Sequence, residues 1–275
     1  MTAYATCDLR TLYHLTEDHY FSATCGLHRR YSAAINAYFV DVCSGLYDLL
    51  FIRVGSAPLG EAFAAPLGLI HGSVLAIRIV VHEEKVAELR EALCAIGFQP
   101  AEQTTAMVLE LSRFIPRMSE GTLQVCLTRD LNEWAGPVGS AYSMLPEVVV
   151  NYQARHQRAL DAGEALYHFT LSAEGRVSCS LTLSLCEGEA RLNDVGTLKG
   201  FRGRGYATCL IQAALLHASS LGAHRCFLEA STEAISLYQQ LGFARLFEYQ
   251  AFTRGALADR LSKSHFCLGA ILKRQ

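Results

Sequence analysis

Residues 195–207 read VGTLKGFRGRGYA, and the organisation of the chain follows from how that stretch is understood. Before it runs a largely apolar, β-prone segment, Ala190 to Leu198, interrupted by Arg191, Asn193 and Asp194. After it, between Tyr206 and Leu221, Leu210, Ile211, Ala214, Leu215, Ala218 and Leu221 fall near one face at helical spacing. A strand feeding a glycine-dense turn that opens a helix makes an anion site. The N–H groups of a first helical turn lack intrahelical partners, and the aligned peptide dipoles leave that end partly positive. Gly203 and Gly205 keep side chains away from those amides, and Arg202 and Arg204 add charge suited to phosphate oxygens. The stretch predicts a phosphate-binding turn.

The whole composition narrows the ligand. At 275 residues the chain has room for one large domain or two of ordinary size, and 51% hydrophobic with 18% charged residues describes a substantial core. A net charge of −2 and a pI near 6.5 give no general electrostatic case for nucleic acid or an anionic membrane, so neither is expected as a partner. Ten cysteines run from Cys7 to Cys267 without a CxxC pair. That pattern predicts reduced, mostly buried thiols in a cytoplasmic protein, and no metal site. Asp8, Arg10, Glu17 and Asp18 stand where a signal peptide would need an apolar core. The uncharged run Gly205 to His224 is long enough to span a bilayer, but Gln212, His217, Ser219 and Ser220 argue for a helix packed on a sheet instead.

Along the chain, Leu12 to His28 and Tyr31 to Cys43 suggest helix in parts, Leu46 to Val54 a strand, and Gly55 to Gly68 a loop. Ser73 to Val81 reads as a strand, Glu83 to Ile96 as a helix stopped by Gly97, and Phe98 to Leu111 as one or two strands. Arg113 to Gly121 resembles a linker. Beyond it the pattern gives a strand at Thr122 to Leu127 and helices around Leu131 to Tyr142 and Glu147 to Ala162. Strands follow at Leu166 to Ser172 and Arg176 to Leu185, then the Ala190 strand, the turn and the long helix. The chain continues with a strand at Arg225 to Glu229, a helix at Thr232 to Gln240 and a strand at Phe243 to Phe252, while Gly255 to Gln275 gives no clear pattern. The division this implies is 1–121 and 122–275. REALCAIGF ending at Phe98 and AISLYQQLGF ending at Phe243 form a faint repeat, readable as a duplicated unit without its glycine turn or as a common helix ending.

Three kinds of glycine turn compete for residues 199–208. A Walker A loop needs Gly-Lys-Ser/Thr at its end, which Lys199-Gly200-Phe201 does not supply. A dinucleotide fingerprint comes closer, as Gly203-x-Gly205-x-x-Thr208 with Glu229 ending the next strand. Its third position is not glycine, and too little chain remains for a doubly wound sheet. Arg202-Gly203-Arg204-Gly205-Tyr206-Ala207 resembles the Arg/Gln-x-x-Gly-x-Gly/Ala signature of GNAT-superfamily acyl-CoA N-acetyltransferases. LEASTEAISLYQQLGF, residues 228–243, resembles that family's closing segment, in the right order and spacing.

The resemblance covers Thr122 to about Phe252 well and the first 121 residues faintly. It implies an α+β fold: a mixed, mostly antiparallel sheet flanked by helices, its central strands splayed to admit acetyl-CoA, with a degenerate GNAT-like N-terminal half. It also assigns roles. Arg202 to Thr208, including Tyr206 and Ala207, would hold the CoA diphosphate. The strand at Val195, Gly196 and Thr197 would bind the pantetheine arm and the oxyanion. Ser231 stands where many relatives carry an asparagine, and Tyr238 resembles the tyrosine that protonates the departing thiolate. Glu189, Asp194 and Glu229 lie on or beside the two central strands and are the candidates for accepting the amine's proton. The expected reaction is direct acetyl transfer to a primary amine of a small molecule or amino-acid derivative. The competing reading is a non-catalytic acyl-CoA sensor, and the oligomeric state is left open.

Overall fold

The computed structural model describes residues 8–40, 49–57, 76–116 and 123–254. The Gly55 to Gly68 loop beyond residue 57, the start of the Ser73 strand, the end of the 113–121 linker and the tail after residue 254 lie outside the described residues.

In chain order the helices are α1 (Leu9–Thr24), α2 (Glu83–Ala95), α3 (Leu131–Ala141), α4 (Pro146–Asp161), α5 (Tyr206–Ser220) and α6 (Ile235–Gln240). The strands are β1 (Leu27–Arg30), β2 (Ile35–Val40), β3 (Leu49–Val54), β4 (Ala76–His82), β5 (Phe98–Glu110) and β6 (Gln124–Thr128). β7 (Leu166–Ala173), β8 (Arg176–Cys186), β9 (Glu189–Thr197), β10 (Arg225–Ser231) and β11 (Ala244–Arg254) complete the set. The helix expected in part of 31–43 is a strand: Ile35 and Ala37 are buried while β2 pairs on both sides, an alternating surface suited to a sheet. Phe98 to Glu110 is one strand of 13 residues rather than two.

Contacts divide the chain into two compact units, and the division does not fall at 121/122. The larger unit contains described residues 8–20, 105–116 and 123–246; the smaller contains 21–40, 49–57, 76–104 and 247–254. Three elements cause the difference, since α1, β5 and β11 are each divided between the units along their length.

In the larger unit the strand order is β5-β10-β9-β8-β7-β6. β6 to β9 pair antiparallel with their neighbours, and β10 joins β9 in parallel. One face packs on α5, whose Leu210, Ile211, Ala214, Leu215 and Ala218 are fully buried against Leu181, Leu183, Ala190 and Leu192. Burial of each leucine or isoleucine is worth about 1.5–3 kcal/mol. Leu221, at the end of the same stripe, is exposed. The other face carries α3 and α4, around the fully buried Trp134. Trp134 donates from its indole nitrogen to the Leu181 carbonyl at 3.2 Å, and Ser180 Oγ donates to the Trp134 carbonyl at 2.7 Å.

The smaller unit has the order β1-β2-β3-β4-β11 with the first part of β5 beside β11, and α2 packs on it through Leu89 and Leu93. β3 and β4 are parallel and stay paired over six consecutive positions, Leu49↔Ala76 to Val54↔Val81. Both units are α+β, with mixed, mostly antiparallel sheets.

Candidate functional site

Parallel β9 and β10 pair only at Glu189↔Arg225, Ala190↔Cys226 and Arg191↔Phe227. Beyond Arg191 the strands part. Separation of two strands in the middle of a sheet exposes main-chain donors and acceptors that burial would otherwise make costly, so the gap suits an extended polar ligand. A cleft of about 370 Å³ opens there, within the range of small-ligand sites. Val195 and Thr197 line it from β9, and Glu229, Ala230 and Ser231 from β10. Its far wall is Leu237 and Tyr238 of α6, with Ala141 and Tyr142 closing the α3 side.

The glycine turn floors the cleft through Phe201, Arg202, Gly203 and Gly205, followed by Tyr206, Ala207 and Thr208 at the start of α5. Gly203 and Gly205 have φ of +75° and +79°, a left-handed backbone that L side chains adopt at a cost. A Cβ on either would meet nothing within 4 Å. Protein crowding therefore does not demand these glycines; the backbone conformation does, and the space beside them is open to the cleft. The first bond of the α5 ladder runs from Cys209 N–H to Gly205 C=O at 3.0 Å, so the amides of Tyr206, Ala207 and Thr208 precede the ladder.

Both arginines of the turn have protein partners. Arg202 lines the cleft but its guanidinium ties the turn to protein, donating to the Thr197 carbonyl at 3.2 Å and the Ser140 carbonyl at 3.5 Å. Arg204 points away, to Glu174 at 2.6 Å and the Gly200 carbonyl at 3.2 Å, and is not part of the lining. Gly196 is not part of it either. A Cβ there would stand 2.6 Å from the Pro137 carbonyl oxygen, so this glycine serves the close approach of α3 to β9.

The three candidate carboxylates separate by position. Glu189 sits at the paired end of β9, buried and held by Arg225 at 2.7 Å; burial pushes its carboxyl up while Arg225 opposes the shift. Asp194 is buried on the α3 and α4 side, where the phenols of Tyr20 and Tyr152 donate to it. Only Glu229 of the three faces the cleft. Its Oε2 accepts from Tyr13 at 3.3 Å and lies 3.8 Å from Arg191. Tyr238 is buried at the cleft wall, and burial pushes its phenol well above the ordinary tyrosine value, so it stays protonated. Cys179, beside Thr197 at 3.2 Å, is raised to about 11 by burial and remains a thiol.

The helix expected in part of Leu12 to His28 is α1, but the sequence assigned no site residue to it. Tyr13, Glu17 and Tyr20 occupy one face at i, i+4 and i+7, all buried, and reach Glu229, Arg191 and Asp194. The helical spacing was the available signal; aromatics mixed with histidines and acids obscured it.

These features define a splayed-strand α+β domain whose cleft reaches a glycine turn at a helix start, and the comparisons agree on the fold. Residues 133–243 match the model of the acetyltransferase (GNAT) family, so the segment from α3 to the end of α6 is a GNAT-family domain, a family of acyltransferases that generally use acyl-CoA. A GCN5-related N-acetyltransferase from Kribbella flavida is similar in fold with a TM-score of 0.65 at 13% identity, covering 93% of this chain and 99% of its own. One from Sphaerobacter thermophilus gives 0.59 at 17% identity, over 80% of this chain and 76% of its own. A tandem GNAT protein from the clavulanic acid biosynthesis pathway gives 0.55 at 15% identity, over 80% and 78%. A comparison with curated proteins gives no match. Among the described residues no helix is long and apolar enough to cross a membrane.

Proposed function

We propose that this chain is an acetyl-CoA-dependent N-acetyltransferase acting on a primary amine of a small molecule or amino-acid derivative in the cytoplasm. The observation that carries this reading is the gap between β9 and β10, which ends on the uncapped amides at the start of α5. Amides of Gly203 to Thr208 would hold the diphosphate, and the free edge of β9 at Val195 to Thr197 would pair with the pantetheine arm, Ser231 facing it from β10. Gly196 takes part through its backbone alone, and Arg202 by fixing the turn to β9.

Bound acyl-CoA supplies an activated thioester. The chain's own groups handle protons at either side of it. Glu229, the carboxylate that faces the cleft, accepts the proton of the incoming ammonium, with Tyr13 and Arg191 fixing its oxygen. Tyr238, kept protonated by burial, donates to the leaving sulfur. No nucleophilic side chain is needed for direct attack by the amine.

The test is release of free CoA from acetyl-CoA in the presence of a panel of primary amines, in wild type and Tyr238→Phe. Turnover that falls sharply in the variant, with CoA affinity retained, supports the assignment. CoA binding without turnover on any amine would make the chain a sensor instead, and no binding at all would remove the reading.

A further inference from the structure

Asp194 is left without a role in this scheme, yet it is among the most heavily engaged side chains of the larger unit. Between β8 and β9 the register runs Thr182↔Asn193 and then Ser180↔Gly196. Leu181 therefore faces two residues, Asp194 and Val195, which is a β-bulge. Asp194 has φ +55°, in the left-handed region. The Leu181 carbonyl opposite the bulge accepts from the Trp134 indole.

The bulge changes which residues reach the cleft. Up to Leu192 the side chains of Ala190 and Leu192 pack on the core under α5. Regular alternation would send 194 and 196 the same way. With one residue added, Val195 packs against that core and Thr197 meets Cys179 of it, while Gly196 abuts the Pro137 carbonyl on the opposite face. Val195 and Thr197 line the cleft as a result.

Something must hold the extra residue in place, and the contacts show what does. The Tyr20 phenol of α1 donates to Asp194 Oδ2 at 2.7 Å, and the Tyr152 phenol of α4 donates to Oδ1. The two phenol oxygens are 3.0 Å apart. His156 Nε2 lies 3.6 Å from Oδ2, and the Arg155 guanidinium stands 5.1 Å above the Tyr152 ring. Tyr20, Tyr152, Arg155, His156 and Asp194 are all buried.

We infer that Asp194 is a positioning residue: clamped by Tyr20 and Tyr152, it fixes the β9 bulge and so sets the phase that turns Val195 and Thr197 into the pantetheine half of the cleft. The diphosphate half, built on the turn and α5, does not depend on the clamp. The ligand part of this inference rests on the acyl-CoA reading above.

Asp194→Asn keeps the shape but loses one acceptor, and Tyr152→Phe is the milder variant should the first fail to fold. Amide hydrogen exchange across residues 193–197 reads the bulge without any ligand. It should accelerate by about tenfold or more in either variant while the α5 amides keep wild-type protection. Affinities are then compared for CoA and for 3′-phosphoadenosine 5′-diphosphate, which lacks the pantetheine arm. CoA binding should weaken by about tenfold, and nucleotide binding by less than about twofold. Unchanged exchange in both variants overturns the clamp, and an equal loss of both ligands overturns its confinement to the pantetheine half. Should wild type bind neither ligand, the acyl-CoA reading fails, while the exchange measurement still decides whether Asp194 fixes the bulge.

Discussion

Tyr13 and Glu229 meet across 216 positions of sequence, the phenol donating to the carboxylate Oε2 at 3.3 Å while Arg191 donates to the same phenol oxygen at 3.2 Å. The arrangement is a short chain of donors, guanidinium to phenol to carboxylate, that ends at the cleft. Glu229→Gln should preserve the outline and remove the proton acceptor, lowering kcat/KM for an amine by about 100-fold or more at neutral pH. Tyr13→Phe leaves the carboxylate but removes the phenol's bonds to Glu229 and from Arg191, and should cost about tenfold. Steady-state kinetics with CoA affinity measured in parallel checks both, and affinity should stay at the wild-type value.

Two glycines separate packing from local freedom. Gly196→Ala places a methyl group 2.6 Å from the Pro137 carbonyl oxygen and 2.9 Å from Val138 Cα, backbone atoms that cannot turn aside. It should destabilise the fold by about 2–3 kcal/mol. Gly200→Ala meets nothing within 4 Å and should change stability by less than about 0.5 kcal/mol. Urea midpoints of the two variants decide it.

At Gly205 the cost should come from the backbone rather than from crowding. Gly205→Ala forces φ near +79° on an L side chain, worth about 1 kcal/mol or more in stability. Gly205→Asn should recover part of that loss, because asparagine tolerates the left-handed region. Thermal melting in the absence of ligand isolates this effect; similar melting of the two variants would refute it.

Burial holds the His168 imidazole down at about 4, against 6.5 when exposed. Between those values the unfolded chain binds a proton that the folded chain refuses, so stability is complete above pH ~6.5 and falls as pH drops toward ~4. The loss from this group amounts to roughly 3 kcal/mol at most. His156, whose Nδ1 lies 2.9 Å from His168 Nε2, is also held down by burial and acts in the same direction. Asp194, raised by burial, acts in the opposite one. Denaturant midpoints measured across this range should flatten in His168→Gln.

Much of the larger unit is legible in the sequence because its elements carry clean periods. The α5 stripe, the β7 and β8 strands and the Gly242 stop before β11 all lie close to where their patterns put them. α1 is hard to read for a physical reason: its buried face carries Tyr13, Glu17 and Tyr20, matched to polar groups on β9 and β10, and Thr16, bonded to the Tyr13 carbonyl, so no apolar stripe marks it. The division at 121/122 differs from the observed one because composition does not reveal which neighbours an element joins, and α1, β5 and β11 are each divided between the units. Arg202 and Arg204 show the same limit at the site. Their charge suggests phosphate, and the local pattern does not reveal their partners here, the Thr197 and Ser140 carbonyls and Glu174, the last two of them far off in sequence.

The unbroken pairing of β3 with β4 has a consequence for stoichiometry. A parallel pair zipped from Leu49↔Ala76 to Val54↔Val81 offers no seam for an extended arm, whereas β9 and β10 part after three pairs. A calorimetric titration should accordingly saturate at one equivalent of nucleotide thioester per polypeptide, however closely the two halves resemble each other in outline.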